Sequence, residues 1–220
     1  MTQQPEFELL AFWRTSATYR VRVALNLKGM VVPERIVDLD AGEQRSEAFL
    51  KINPLGAIPA LLEKGHAPLT QSLAILEFIE ELQPMPALLP QDLHARARVR
   101  SLAAMLATDT HPLVTPRVKK YLAATSNIDD ASWRAWQIHW FTTGLQAFEQ
   151  RLISDQESGK FCHGDVPTMA DICLASIVVM TRIFKITVDN VPIIDRVMAN
   201  CDALEAFAKA APLRQVGAPA

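Results

Sequence analysis

Gln83-Pro84-Met85-Pro86-Ala87-Leu88-Leu89-Pro90 is the stretch at which the chain changes character. Proline lacks a backbone N–H and fixes φ, so prolines at 84, 86 and 90 continue neither a helix nor a central strand. Residues 87–91 therefore read as a stiff linker. Before it, strand and helix signals alternate; after it, strand signals stop. The asymmetry predicts an α/β domain over residues 5–86 and an all-helical domain over residues 92–215.

Upstream of the linker, Phe7–Phe12 is a mostly apolar run suited to a buried strand. Thr15–Lys28 follows as a helix with Val21, Ala24 and Leu25 inward, closed by Gly29, where a left-handed residue is useful. Val32–Leu39 reads as a second strand, since β-branched residues sit between turn signals. Glu43–Lys51 is a short helix ended by Asn53-Pro54. Two brief strands, Ile58–Glu63 and Ala67–Thr70, hinge at Lys64-Gly65. The helix Ser72–Gln83 then carries Ile75, Ile79 and Leu82 on one stripe. The order is βαβαββα.

Downstream, Asp92–Tyr121, Asp129–Leu152, Met169–Arg182, Pro192–Asn200 and Asp202–Ala210 read as helices. Pro112 and Pro116 should kink the first. Thr168-Met169-Ala170-Asp171 fits a capping box, and Ile172–Met180, apolar all round, belongs in the middle of its domain.

The 220 residues are half apolar and about a fifth charged, the profile of a folded globular chain. Basic residues number 22 and acidic residues 24, a net charge of −2, which excludes a surface built to hold nucleic acid. Ile172–Met180 has about half the length a bilayer span needs. Met1–Gln4 is polar without a basic n-region, so no secretory leader is expected. Cys162, Cys173 and Cys201 show neither CxxC nor Cys/His spacing. That predicts a reduced, cytoplasmic setting with no metal site and no disulfide framework.

Four stretches could carry chemistry. The turn Trp13-Arg14-Thr15-Ser16-Ala17-Thr18 lies between a strand and a helix, where open α/β sheets bind ligands and helix N-termini favour anions. Its hydroxyls could equally be helix caps. In Asn53-Pro54-Leu55-Gly56-Ala57-Ile58-Pro59, a proline opens a strand. An X–Pro bond is trans by default; a cis bond here would offer the Ile58 amide and carbonyl to a ligand. Thr70-Gln71-Ser72 opens a helix and is either a cap or a carboxylate site. His111-Pro112-Leu113-Val114-Thr115-Pro116-Arg117 offers two anion-binding side chains or ordinary solvated charges. Arg96, Arg98 and Arg100 point different ways on a helix and read as solvated. No Cys and no Ser/His/Asp set is placed as a nucleophile, so any nucleophile arrives with a cofactor.

In this order and spacing, Phe12 to Arg22 through Leu27-Lys28-Gly29, Asn53-Pro54 to Ile58-Pro59, Gln71-Ser72-Leu73-Ala74-Ile75 and Gly164-Asp165 with Thr168 to Asp171 resemble a glutathione transferase of the zeta class. That class includes maleylacetoacetate and maleylpyruvate isomerases. The resemblance covers nearly the whole chain. It implies a thioredoxin-like N-terminal domain, a helical C-terminal domain, glutathione as cofactor and a cytoplasmic homodimer without membrane or nucleic-acid partners.

Residue by residue, the resemblance implies that Thr15 or Ser16 donates to the glutathione sulfur and that Ile58, ahead of a cis Pro59, pairs with the cysteinyl backbone. Gln71 and Ser72 hold the γ-glutamyl carboxylate, Gln44 approaches the glycyl end, and His111, from this subunit or its partner, adds a contact near the dimer interface. A thiolate adding to a cis double bond and leaving after rotation would isomerise a maleyl diketo acid to its fumaryl form. Such a substrate carries carboxylates and develops enolate charge, for which Arg14 is the first choice, followed by Arg117 and Arg182. Many zeta members have cysteine where this chain has Ala17. Two alternatives stand beside the isomerase: a general transferase conjugating glutathione to electrophiles, and a non-catalytic glutathione-binding protein.

Overall fold

Phe7–Ala11 forms strand β1, and Leu9, Leu10 and Ala11 are fully buried. In a computed structural model, which describes residues 6–219, this strand is central in a sheet ordered β2-β1-β3-β4. The other strands are β2 (Glu34–Ile36), parallel to β1, and β3 (Ala60–Glu63) and β4 (Leu69–Thr70), which pair antiparallel in succession. Helices α1 (Ser16–Leu27), α2 (Glu47–Ile52) and α3 (Ser72–Leu82) complete the expected βαβαββα order. Pro5 and the leaderless reading of Met1–Gln4 lie outside the described residues.

Burial follows the apolar pattern. Val21, Ala24, Ile75, Leu76 and Ile79 are all fully buried. The α3 stripe ends early, because Leu82 is exposed and Leu76 takes an inward place instead. A separate cluster of Leu10, Phe12, Val37, Phe49, Ile58 and Ala60 forms a second apolar layer. Gly29 adopts φ +65°, with the Met30 amide reaching back to Leu25 O at 2.9 Å, as the helix stop requires.

Two buried cations brace this unit. The Arg22 fork grips Glu34 at 2.8 and 2.7 Å. Lys28 Nζ lies 2.5 Å from Glu80 and 2.6 Å from Pro86 O, while Glu80 also accepts the Leu88 amide at 2.9 Å. The proline-rich stretch is thus tied back to α1 and α3. Both Ile58-Pro59 and Met85-Pro86 are cis.

The second unit spans Leu89–Ala203. Its helices are α4 (Leu93–Ala104), α5 (Pro116–Ser126), α6 (Asp130–Asp155), α7 (Met169–Ile183) and α8 (Pro192–Asp202). The helix expected over Asp92–Tyr121 is broken rather than kinked. After α4 come a π turn, Met105–Thr110, and a 3-10 turn, His111–Val114, before Pro116 opens α5 at its first position. Thr115, preceding that proline, is extended (φ −79°, ψ 152°), the conformation proline imposes on its neighbour. Arg98 is not solvated as expected. It bonds Asp155 at 2.6 Å and Cys162 O at 3.0 Å, with a side chain only 10% exposed. Among the described residues no helix is long and apolar enough to cross a membrane.

The last predicted helix starts late. Asp202 ends α8, and α9 is Glu205–Ala210, packed on α1 with Phe207 buried and Asn26 Nδ2 donating to Ala206 O at 2.9 Å. The chain from Leu204 onward accordingly clusters with the N-terminal unit.

The π turn needs a partner without a side chain. A Cβ on Gly144 of α6 would stand 2.3 Å from Thr110 Oγ1 and 3.1 Å from its Cβ, and Thr110 is buried. Gly144→Ala is therefore expected to lose about 1–3 kcal/mol by overpacking, more than the ~1 kcal/mol of helix propensity it gains. Urea unfolding of G144A, T110A and G144A/T110A measures this; a smaller cost of G144A in the T110A background confirms the contact.

Candidate active site

The register gathers the predicted residues. Leu10, Ala60 and Thr70 form one row across β1, β3 and β4. Since β1 runs toward this row, β3 away from it and β4 toward it, three segments leave the sheet at the same end. They are the turn Phe12–Thr15 into α1, the loop ending at Ile58-Pro59, and Gln71 into α3. Parallel β2, with Ile36 opposite Ala11, delivers the Asp38–Gln44 loop there too.

Each segment is held locally. The Asn53 side chain, in a buried residue, donates to Ala57 O at 2.6 Å and accepts the Leu55 amide at 3.1 Å, shaping the loop ahead of Ile58. The β3 ladder begins at Ala60, so Ile58 lies outside it. Gly56 (φ +62°) lets that loop meet the Gln44 backbone: a Cβ there would lie 3.1 Å from Gln44 O. Gln71 holds φ +71° and ψ 113°, a conformation costing a non-glycine residue about 1–3 kcal/mol. It is the strained hinge from which α3 starts.

Thr15 occupies the N-cap of α1, but its side chain makes no cap bond. Its hydroxyl instead donates to Thr18 Oγ1 at 2.6 Å. Ser16 is buried, as is Ser72 at the start of α3. A residue without an assigned role joins them: Arg20, only 2% exposed, donates to Ser72 Oγ at 2.7 Å and to Ser16 Oγ at 3.4 Å. The signal was in the sequence, as a charge one helical turn after Ser16 among Tyr19, Val21 and Val23.

Arg14 stacks on Phe12 and Trp13 and pairs with Asp40, an acidic partner that sequence reasoning also left out. Its side chain remains 38% exposed. Gln44 is half-buried, and its Oε1 is a buried acceptor without a hydrogen-bond partner among the described residues.

The remaining candidates lie in the second unit. His111 opens the 3-10 turn and is half-buried, and Arg117 is exposed on α5. Arg182 near the end of α7 is gripped by Asp202 through both terminal nitrogens, at 3.0 and 2.8 Å. The three cysteines are buried, and among the described residues they form no disulfide. Burial pushes the Cys162 and Cys201 thiols upward, the opposite of a nucleophile.

The donor set suits a small peptide with anionic ends. Two helix N-termini with buried hydroxyls and a buried guanidinium favour anions, and the orphan Gln44 oxygen suits an amide.

Comparison with known proteins gives the same picture. The family model of the glutathione S-transferase N-terminal domain matches residues 5–81. A maleylpyruvate isomerase of Ralstonia sp. is 41% identical over 208 residues, covering 94% of this chain and 98% of that protein. A solved maleylacetoacetate isomerase from Methylobacterium extorquens AM1, with malonate and glutathione bound, aligns with a TM-score of 0.94 at 46% identity over 97% of this chain and 100% of that one. A zeta-class maleylpyruvate isomerase aligns at 0.92 and 40% identity, covering 96% and 100%.

Proposed function

Since the chain belongs to the zeta-class glutathione transferases, we propose that it isomerises maleyl diketo acids from cis to trans with glutathione as cofactor. The observation that carries this reading is the Leu10–Ala60–Thr70 row, which brings Ser16, Ile58 and Ser72 to one end of the sheet. Bound glutathione supplies the sulfur nucleophile, which adds to the cis double bond, permits rotation and departs unchanged.

The protein's tasks follow from the site. Thr15 and Ser16 donate to the sulfur and, with the positive end of α1, hold it as thiolate. Ile58 pairs through its backbone with the cysteinyl residue. Ser72, Gln71 and the start of α3 take the γ-glutamyl carboxylate. Gln44 receives an amide near the glycyl end.

Arg14 faces the substrate's carboxylates and the charge that develops on its oxygen, with Arg117 and Arg182 as further cations. Asp40 already neutralises Arg14, so a dicarboxylate has to compete for the guanidinium. Arg14→Ala is expected to raise KM for a maleyl substrate about tenfold with a smaller change in kcat. An equal loss with the uncharged electrophile chlorodinitrobenzene contradicts this role.

The reading extends to a cytoplasmic homodimer, with His111 of the partner subunit near the cofactor, acting in the catabolism of tyrosine or other aromatic compounds. It draws support from the family; sedimentation tests the dimer. The function itself is tested by assaying maleylacetoacetate and maleylpyruvate with and without glutathione. Fumaryl product formed only with glutathione, and without net consumption of it, is the expected result. Glutathione consumed by chlorodinitrobenzene with no isomerisation makes the protein a general transferase. Retention on glutathione resin without turnover makes it a binding protein.

A further inference from the structure

Arg20 is among the largest fully buried side chains of the protein. A guanidinium stays charged in any protein and is seldom buried without strong partners. Two of its hydrogen bonds go to neutral hydroxyls, Ser72 Oγ at 2.7 Å and Ser16 Oγ at 3.4 Å. These serines begin different helices, 56 positions apart in the chain.

We infer that Arg20 is a positioning residue for glutathione, one fork that orients the Ser16 hydroxyl toward the cofactor's sulfur and the Ser72 hydroxyl toward its γ-glutamyl carboxylate. A hydroxyl that accepts from a cation keeps its own proton to give and becomes a stronger donor, because hydrogen bonds in a chain polarise one another. With both oxygens taken from the guanidinium side, both protons are directed away from Arg20. The buried charge also favours the two anions that the serines face. Lysine has the charge but not the planar fork, and cannot hold both oxygens in this geometry.

This assignment rests on the proposed glutathione site, and the experiment separates the two. Glutathione is titrated with pH in the presence of wild type, Arg20→Gln, Arg20→Lys and Ser72→Ala, reading the ultraviolet absorbance of the thiolate, and affinity is measured by calorimetry. Arg20→Gln is expected to lower the bound thiolate fraction and the affinity about tenfold each, the loss of one charged hydrogen bond, and Arg20→Lys to recover part of both. Ser72→Ala leaves Arg20 in place and serves if the Arg20 variants fail to fold. By releasing the far end of the fork it is expected to move the thiolate midpoint upward, although Ser72 faces the other end of the cofactor. Unchanged thiolate midpoints in Ser72→Ala and in whichever Arg20 variants fold overturn the role of Arg20 and leave the glutathione site standing. No thiolate signal with wild type overturns both.

Discussion

Replacing Thr15 and Ser16 together with alanine is expected to cut kcat for isomerisation about a hundred- to a thousandfold, the cost of removing a preorganised donor from a developing or resident anion. A free thiol titrates near 8.5, so only a few per cent is ionised at neutral pH without help. The chain offers no thiol in its place, because Cys162, Cys173 and Cys201 are buried in the core. The helix terminus remains in the double variant, and its dipole is worth only about 0.3–1 kcal/mol, so the titration of bound glutathione should return most of the way toward the free value. Single variants apportion the work. The Thr15 proton already goes to Thr18 at 2.6 Å, so Thr15 must turn to reach the sulfur, whereas Ser16 has Arg20 on its oxygen. Ser16→Ala should therefore be the costlier single change. A thiol midpoint and a turnover that stay the same in both singles and in the double remove the hydroxyls from the mechanism.

Much of this site is legible in the sequence, because its parts are local. The strand-to-helix turn, the Asn53-to-Pro59 loop and the start of α3 each announce themselves by proline, glycine or hydroxyl residues within seven positions. Their meeting at one sheet end then depends on register, which the order βαβαββα alone leaves open. Arg20 escaped because helical periodicity marks a charge on an apolar face as an exception without naming its partner, and Ser72 lies 52 residues away. Asp40 escaped for the same reason, its partner Arg14 being 26 residues distant. The break after Ala104 was underestimated because prolines 112 and 116 were legible but the π turn at Met105–Thr110 was not. That turn rests on Gly144, a packing fact from another helix. The late start of α9 has a similar origin: Phe207 and Ala210 are recruited by α1, nearly the whole chain away.

Asp171→Ala is expected to cost about 3–5 kcal/mol of stability, since each buried donor left without an acceptor costs ~1–3 kcal/mol and three lose theirs together. The expected capping box is present. The Asp171 carboxylate, fully buried, accepts the Thr168 amide at 2.7 Å and the Thr168 hydroxyl at 2.8 Å, and it also takes the Cys162 amide at 2.7 Å. It therefore fixes both the first turn of α7 and the loop that precedes it. Burial is the largest influence on this carboxyl and pushes it upward, the donors from Cys162 and Thr168 pull it back, and the balance stays above the ordinary aspartate range. Between the unfolded and native values the native carboxyl is protonated while the unfolded one is ionised. The stability linked to this proton is thus full below the ordinary aspartate value and declines as pH rises through the native one. Asp171→Asn cannot titrate, and its amide sets a donor against a donor, so it should be less stable than wild type at every pH. The gap should be widest in acid and level off above the native value. Urea unfolding of wild type, Asp171→Asn and Asp171→Ala across the acid-to-neutral range reads both effects. A loss below ~1 kcal/mol in Asp171→Ala contradicts the assignment of this carboxyl as the buried acceptor that starts α7, and a gap that widens as pH rises contradicts its upward shift.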